Sequence, residues 1–164
     1  MEQKFLSRAC LERRRLSSPI QLLHVGLRTQ TTKNWLNSTR STSKQNFSIF
    51  KLFRDQGLEI LGFPCNQFMS QEKKCEFDIK AFVQGKYNVD FPMFSKVEVN
   101  GPNTNDVFKF LRYNSELNQN GKVKYVPWNF TKFLLDKDGK IVKVYAPNED
   151  PKVMIPEIEK LLHA

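Results

Sequence analysis

A chain of 164 residues with 40% hydrophobic content suits one domain around a single core. No run approaches the roughly 20 apolar residues of a membrane-spanning helix, so no stable membrane insertion is expected. Three cysteines, Cys10, Cys65 and Cys75, form neither a disulfide framework nor a CxxC metal pair, which points to a reducing compartment and to no bound metal.

The net charge of +9 is local rather than global. Residues 1–56 hold eleven Lys/Arg against three Asp/Glu, whereas residues 57–164 hold fifteen against fourteen. A nucleic-acid-binding face would set its cations on folded elements with aromatics among them, so no nucleic-acid partner is expected. Met1 to Asn46 is rich in Arg, Ser, Thr and Gln, with Arg13-Arg14-Arg15 ahead of Ser17-Ser18. That is the composition of a mitochondrial transit peptide, and also of an irrelevant reading frame. The chain therefore divides into a basic segment over 1–46 and a folded domain over 47–164.

Within the domain, Phe47, Phe50 and Phe53 predict one face of a short helix that stops at Gly57. Leu58 to Phe63 is an apolar run closed by Pro64 and predicts a buried parallel strand. Ile79, Phe82 and Val83 predict a helix to about Gly85. Val107, Phe110 and Leu111 predict another after Pro102, with Thr104 as its cap. Phe130–Asp136 and Lys140–Tyr145 flank Lys137-Asp138-Gly139 and read as a hairpin. Met154, Ile158, Leu161 and Leu162 share one stripe of a last helix over Pro151–Leu162, in which Pro156 marks a second start or a kink. This order of elements is α/β with one antiparallel edge.

Two blocks carry chemistry. The first is Gly62-Phe63-Pro64-Cys65-Asn66-Gln67-Phe68 followed by Met69-Ser70-Gln71-Glu72; the second is Trp128-Asn129-Phe130-Thr131-Lys132-Phe133 followed by Leu134-Leu135-Asp136. Alone, Trp128 reads equally well as a core aromatic, Asn129 as a turn residue and Gln71 as a solvated side chain. Together, and with Phe91-Pro92-Met93-Phe94 and Val99-Asn100-Gly101 between them, the blocks resemble the signatures of the glutathione peroxidase family over about Gln56 to Leu162.

The resemblance implies a thioredoxin-like fold, with a mixed central sheet flanked by helices. It also implies a thiol-dependent peroxidase that reduces hydrogen peroxide or organic and lipid hydroperoxides in the response to oxidative stress. In such enzymes a cysteine or selenocysteine is held near a Gln, a Trp and an Asn, which by motif position are Gln71, Trp128 and Asn129. A free thiol with a pKa of about 8.5 is mostly protonated at neutral pH. Neutral N–H donors can hold the thiolate without collapsing onto it as an ion pair. The same donors can receive the departing oxygen. No bound cofactor is implied; glutathione or another small thiol is the reductant. Family members that use thioredoxin carry a second cysteine where Gln84 stands here, so a small thiol is favoured. The stretch from Gly101 to Lys124 lacks the insertion that family tetramers use, so a monomer is expected.

The resemblance also implies a nucleophile loop of the type Val-Asn-x-Ala-Ser-x-Cys-Gly-x-Thr, and no such run precedes Gly57. Cys10 lacks the following Gly-x-Thr. Cys65, behind Pro64, reads as an inert buried thiol and Cys75 as exposed with no matched role. Back-translation of Pro19 to Arg40, read from the third base of each codon, permits Asn-Thr-Ala-Ser-Ala-Cys-Gly-Leu-Thr-Asn-Thr-Asn-Tyr. Its cysteine spans the codons of His24 and Val25. The nucleophile is therefore expected near His24 in a shifted frame, and the first strand and its loop are degenerate as written. The apolar run Ile20–Val25 could still pair as a substitute strand; otherwise a poorly packed N-terminal third and no turnover follow.

Three readings stand: a peroxidase impaired in this chain, a non-catalytic thioredoxin-fold binding or scaffold protein, and a basic nucleic-acid-binding tail on an unrelated domain. The cytoplasm is the expected location, with the mitochondrion as alternative if the basic segment is a transit peptide.

Overall fold

A computed structural model gives the backbone of residues 20–25 and the fold of residues 53–163. Among these, β1 (Ile20–Val25), β2 (Leu58–Phe63), β5 (Lys132–Leu135) and β6 (Ile141–Tyr145) form one mixed sheet in the order β2-β1-β5-β6. β1 is parallel to β2 and antiparallel to β5, and β5 is antiparallel to β6. The substitute strand Ile20–Val25 thus occupies the central slot. The readings at Cys10, Arg13 to Ser18, Phe47 and Phe50 lie outside the described residues. Phe53 opens the last turn before Gly57, whose φ of 114° suits only glycine.

β2 is apolar except at the half-buried Glu59, because both faces of the sheet are covered. Leu61 and Phe63 join Phe133 and Leu135 in one core, with Val99, Phe108, Leu111 and Val126. Leu58 and Ile60 join Leu134 and Tyr145 in the other, with Phe53, Met154 and Ile158. Beyond β2, Gly62 N–H donates to Pro92 O (2.9 Å) and Phe94 N–H to Gly62 O (2.8 Å), so residues 92–94 cover that edge.

Two helical elements differ from expectation, and the last restarts at Pro156 as expected. α1 spans Glu76–Tyr87, running through Gly85. Asn88 ends it in the left-handed region at φ 56°, and its N–H donates to Gln84 O. Asparagine can end a helix this way, and an exposed mid-helix glycine costs only about 1 kcal/mol. α2 spans Asp106–Tyr113, and its cap is Asn105, whose side chain accepts from Val107 N–H; Thr104 donates instead to Gly101 O. The buried face of α2 is Phe108, Leu111 and Arg112, whereas Phe110 is 49% exposed. The terminal element is a 3-10 turn over Pro151–Met154 and then α3 over Ile155–Leu162, with Pro156 in its first turn. Proline is tolerated there, since that N–H has no partner within the helix.

The hairpin is as expected: Gly139 has φ 78°, and Asp136 Oδ1 accepts from Asp138 and Lys140 N–H. A second, two-residue hairpin pairs β3 (Asn118–Gln119) with β4 (Lys122–Val123) through Asn120-Gly121.

Candidate active site

The register of β1 fixes where the two blocks meet. His24 lies opposite Gly62 on one side and Lys132 on the other, and Val25 lies beside Phe63. The first block leaves the sheet where β2 ends, and the second enters it where β5 begins. Both flank the C-terminal end of β1, the end at which open α/β sheets gather their ligands.

Gln71 is presented by a tight turn. Gln71 N–H donates to Phe68 O (3.3 Å), while Met69 and Ser70 sit at φ 53° and 50°. Two consecutive left-handed residues without glycine cost on the order of 1 kcal/mol each. The strain is held from both ends. Phe68 is buried with its ring 5.4 Å from that of Trp128, and Asn66 Oδ1 accepts from Glu72 N–H at 2.9 Å.

The second block is held as tightly. Thr131 is fully buried and its hydroxyl donates to Trp128 O at 2.8 Å. Phe130 is left-handed at φ 65°, with its ring buried beside Val83 and Val89. Trp128 is 38% exposed and Asn129 3% exposed. Asn129 Nδ2 donates to Gln71 Oε1 at 3.2 Å across 58 residues of sequence.

Gln71 and Asn129 therefore meet, and Trp128 precedes Asn129 in the chain and packs against Phe68. Because Gln71 Oε1 is the acceptor, its Nε2 hydrogens remain as donors, together with one Asn129 Nδ2 hydrogen and the Trp128 indole N–H. All are neutral. Neutral N–H donors of this kind can hydrogen-bond a thiolate or a departing alkoxide. Trp128 is 38% exposed against Phe68 rather than a core aromatic, and Asn129 is, as the plain reading had it, a turn residue, buried with its amide donating to Gln71.

The two described cysteines lie as expected, one buried and one exposed. Cys65 is buried, and burial pushes its thiol pKa up, away from the reactive thiolate. Cys75 is exposed at the N-terminus of α1, and Gln84 is exposed on the same helix. Glu72 is 2% exposed, and burial raises its carboxyl pKa, against the opposing pull of Lys96 and Lys74. Among the described residues no group of three His, Cys, Asp or Glu could hold a metal. No described helix is long and apolar enough to cross a membrane.

Sequence reasoning missed Phe68, Thr131 and the Met69-Ser70 turn as parts that set the site. Thr131, two residues after Asn129, was legible as a backbone-capping hydroxyl. The turn gave no signal, because neither residue favours left-handed backbone.

Comparison with known proteins gives the family. The family model for glutathione peroxidase matches residues 36–112. A glutathione peroxidase homolog, BsaA, of Bacillus subtilis is 47% identical over 124 residues, covering 74% of this chain and 75% of that protein. The hydroperoxy fatty acid reductase gpx1 of Synechocystis is 46% identical over 118 residues, covering 70% of each. Among solved structures, Trgpx in its apo form superposes with a TM-score of 0.62 at 26% identity, over 90% of this chain and 83% of that one. A thiol-disulfide isomerase from Corynebacterium glutamicum shares the fold alone, with a TM-score of 0.56 at 14% identity over 93% and 86%. The fold is thioredoxin-like, the relatives are peroxidase oxidoreductases, and the chain belongs to the glutathione peroxidase family.

Proposed function

We propose that this gene encodes a thiol peroxidase that reduces hydrogen peroxide or organic hydroperoxides, and that the chain as written lacks the sulfur the reaction needs. The observation that carries this reading is the hydrogen bond from Asn129 Nδ2 to Gln71 Oε1 at 3.2 Å, with Trp128 alongside, where the chain leaves β1. In the complete reaction a thiolate attacks one peroxide oxygen, the O–O bond breaks and the leaving oxygen takes a proton. One small thiol then condenses with the resulting sulfenic acid to release water, and a second frees the cysteine as a disulfide departs. Gln71, Trp128 and Asn129 hold the thiolate and the departing oxygen. Glutathione or a similar small thiol is the reductant, because Gln84 stands where an internal resolving cysteine would be. A monomer in the cytoplasm, or in the mitochondrion if the Arg- and Ser-rich residues ahead of β1 act as a leader, completes the reading.

The test pairs nucleotides with turnover. Reading the transcript across codons 19 to 52 is expected to show a Cys-Gly-Leu-Thr frame. The chain as written is expected to reduce cumene hydroperoxide with glutathione no faster than buffer, and the frame-restored chain to turn over. Normal turnover by the chain as written refutes the impairment. Intact in-frame codons together with inactivity favour the non-catalytic thioredoxin-fold protein.

A further inference from the structure

Two side-chain amides outside the donor set join three stretches of backbone that the site depends on. Gln67 Oε1 accepts from Val99 N–H (2.8 Å) and Asn100 N–H (2.9 Å). Its Nε2 donates to Asn100 O (2.8 Å) and to Glu98 Oε2 (3.4 Å). Both lone pairs and both hydrogens of this amide are used. Asn100 then repeats the device one step further. Its Nδ2 donates to Val126 O and its Oδ1 accepts from Val126 N–H, each at 2.9 Å.

From this connectivity we infer that Gln67 and Asn100 are positioning residues, which set the Trp128–Asn129 pair against Gln71. The relay starts four residues before Gln71 and ends two residues before Trp128. A two-point contact on a single residue fixes its register as a strand partner would, and it leaves Val126 little freedom to slide or rotate. The Gln71–Asn129 bond, at 3.2 Å, and the partly exposed Trp128 ring are the looser contacts that the relay holds in reach. Arg112 spans the same stretches separately, donating from Nε to Lys124 O (3.0 Å) and from Nη1 to Val99 O (3.4 Å). Loss of Asn100 therefore loosens the arrangement without severing it. The catalytic meaning of the relay rests on the proposed role of the three donors; its structural meaning does not.

The chain holds two tryptophans, so the full-length Trp35→Phe protein reports Trp128 alone. In that background Asn100→Asp keeps the volume and an acceptor but sets a carboxylate against Val126 O, and Asn100→Ala removes both bonds. Both are expected to shift Trp128 emission to the red and to raise acrylamide quenching about twofold, the step from a half-shielded to a free indole, at unchanged far-UV circular dichroism. Gln67→Glu, which keeps the acceptor for Val99 and Asn100 N–H and sets a carboxylate oxygen against Asn100 O and Glu98, is expected to shift it in the same direction and serves if the Asn100 variants do not fold. Unmoved emission and quenching in folded Asn100→Asp, or failing that in Gln67→Glu, overturns the relay while leaving the role of the donors intact. Moved Trp128 signals alongside Gln71 and Asn129 variants that leave the turnover of the frame-restored chain unchanged would instead remove the donors' role and keep the relay.

Discussion

Asn129 and Lys132 are three residues apart, both buried, and satisfied in opposite ways. Asn129 meets another neutral amide and keeps a hydrogen to offer. Lys132, 1% exposed, spends its charge on the backbone, donating to Ala146 O (3.1 Å) and Glu149 O (2.8 Å). A buried cation is worth its desolvation where it ties a loop to the sheet. Beside a reactive sulfur the same cation would compete for the charge that the peroxide must meet. Between the two, Thr131 marks the change from site to scaffold.

The sharpest way to break this comparison is Lys132→Met. It leaves two carbonyls without their charged donor and is expected to destabilise by about 2–4 kcal/mol, read by urea unfolding. Asn129→Ala should lower stability by only about 1 kcal/mol, because a single neutral bond is lost. An Asn129 loss as large as that at Lys132 would show that the amide pair is scaffold after all.

Titration sharpens the contrast. Burial lowers the folded pKa of Lys132 from 10.5 to about 8. Between these values the unfolded chain holds a proton that the folded one has released, so stability rises with pH across that window, by up to roughly 3 kcal/mol. Tyr145 opposes it at the upper end. Burial pushes its hydroxyl up to about 12, so the folded state retains a proton that the unfolded state loses above pH 10, and stability falls again. Unfolding measured from pH 7 to 11 should show a rise and then a decline, and Lys132→Met should abolish the rise.

The smaller effects lie around Gln71 and Trp128. Thr131→Val removes the bond to Trp128 O and should cost about 1 kcal/mol. Ser70→Gly relieves a left-handed residue and should stabilise by about 0.5–1 kcal/mol, visible as a raised Tm. A drop in Tm would mean that the Ser70 side chain contributes more than its backbone strain takes away.

Much of the scaffold was legible because its signals are local. The Leu58–Phe63 run, the Lys137-Asp138-Gly139 turn and the restart at Pro156 each carry their own physical reason within a few residues. Where two neighbours offer the same chemistry the sequence misleads. Thr104 and Asn105 can both cap, and the backbone uses Asn105; Gly85 and Asn88 can both end α1, and Asn88 does. The side of α2 that faces inward is decided by the sheet beneath it, which admits Phe108 and leaves Phe110 outside. Asn120-Gly121 was a readable turn signal, overlooked because its strands are two residues long. The site divides in the same way. Gln71, Trp128 and Asn129 were reached through family resemblance, whereas the bond that joins two of them spans 58 residues and no local pattern encodes it.

β1 is the sole bridge between the two halves of the described sheet, since β2 pairs with nothing on its β5 side except through it. Six apolar-rich residues of whatever reading frame can fill that slot, for a ladder asks only for backbone and roughly the right greasiness. A coding slip at this point would then yield material that purifies, melts cooperatively and shows the expected circular dichroism. Quality control by folding would pass it, and only a chemical question would expose what had gone.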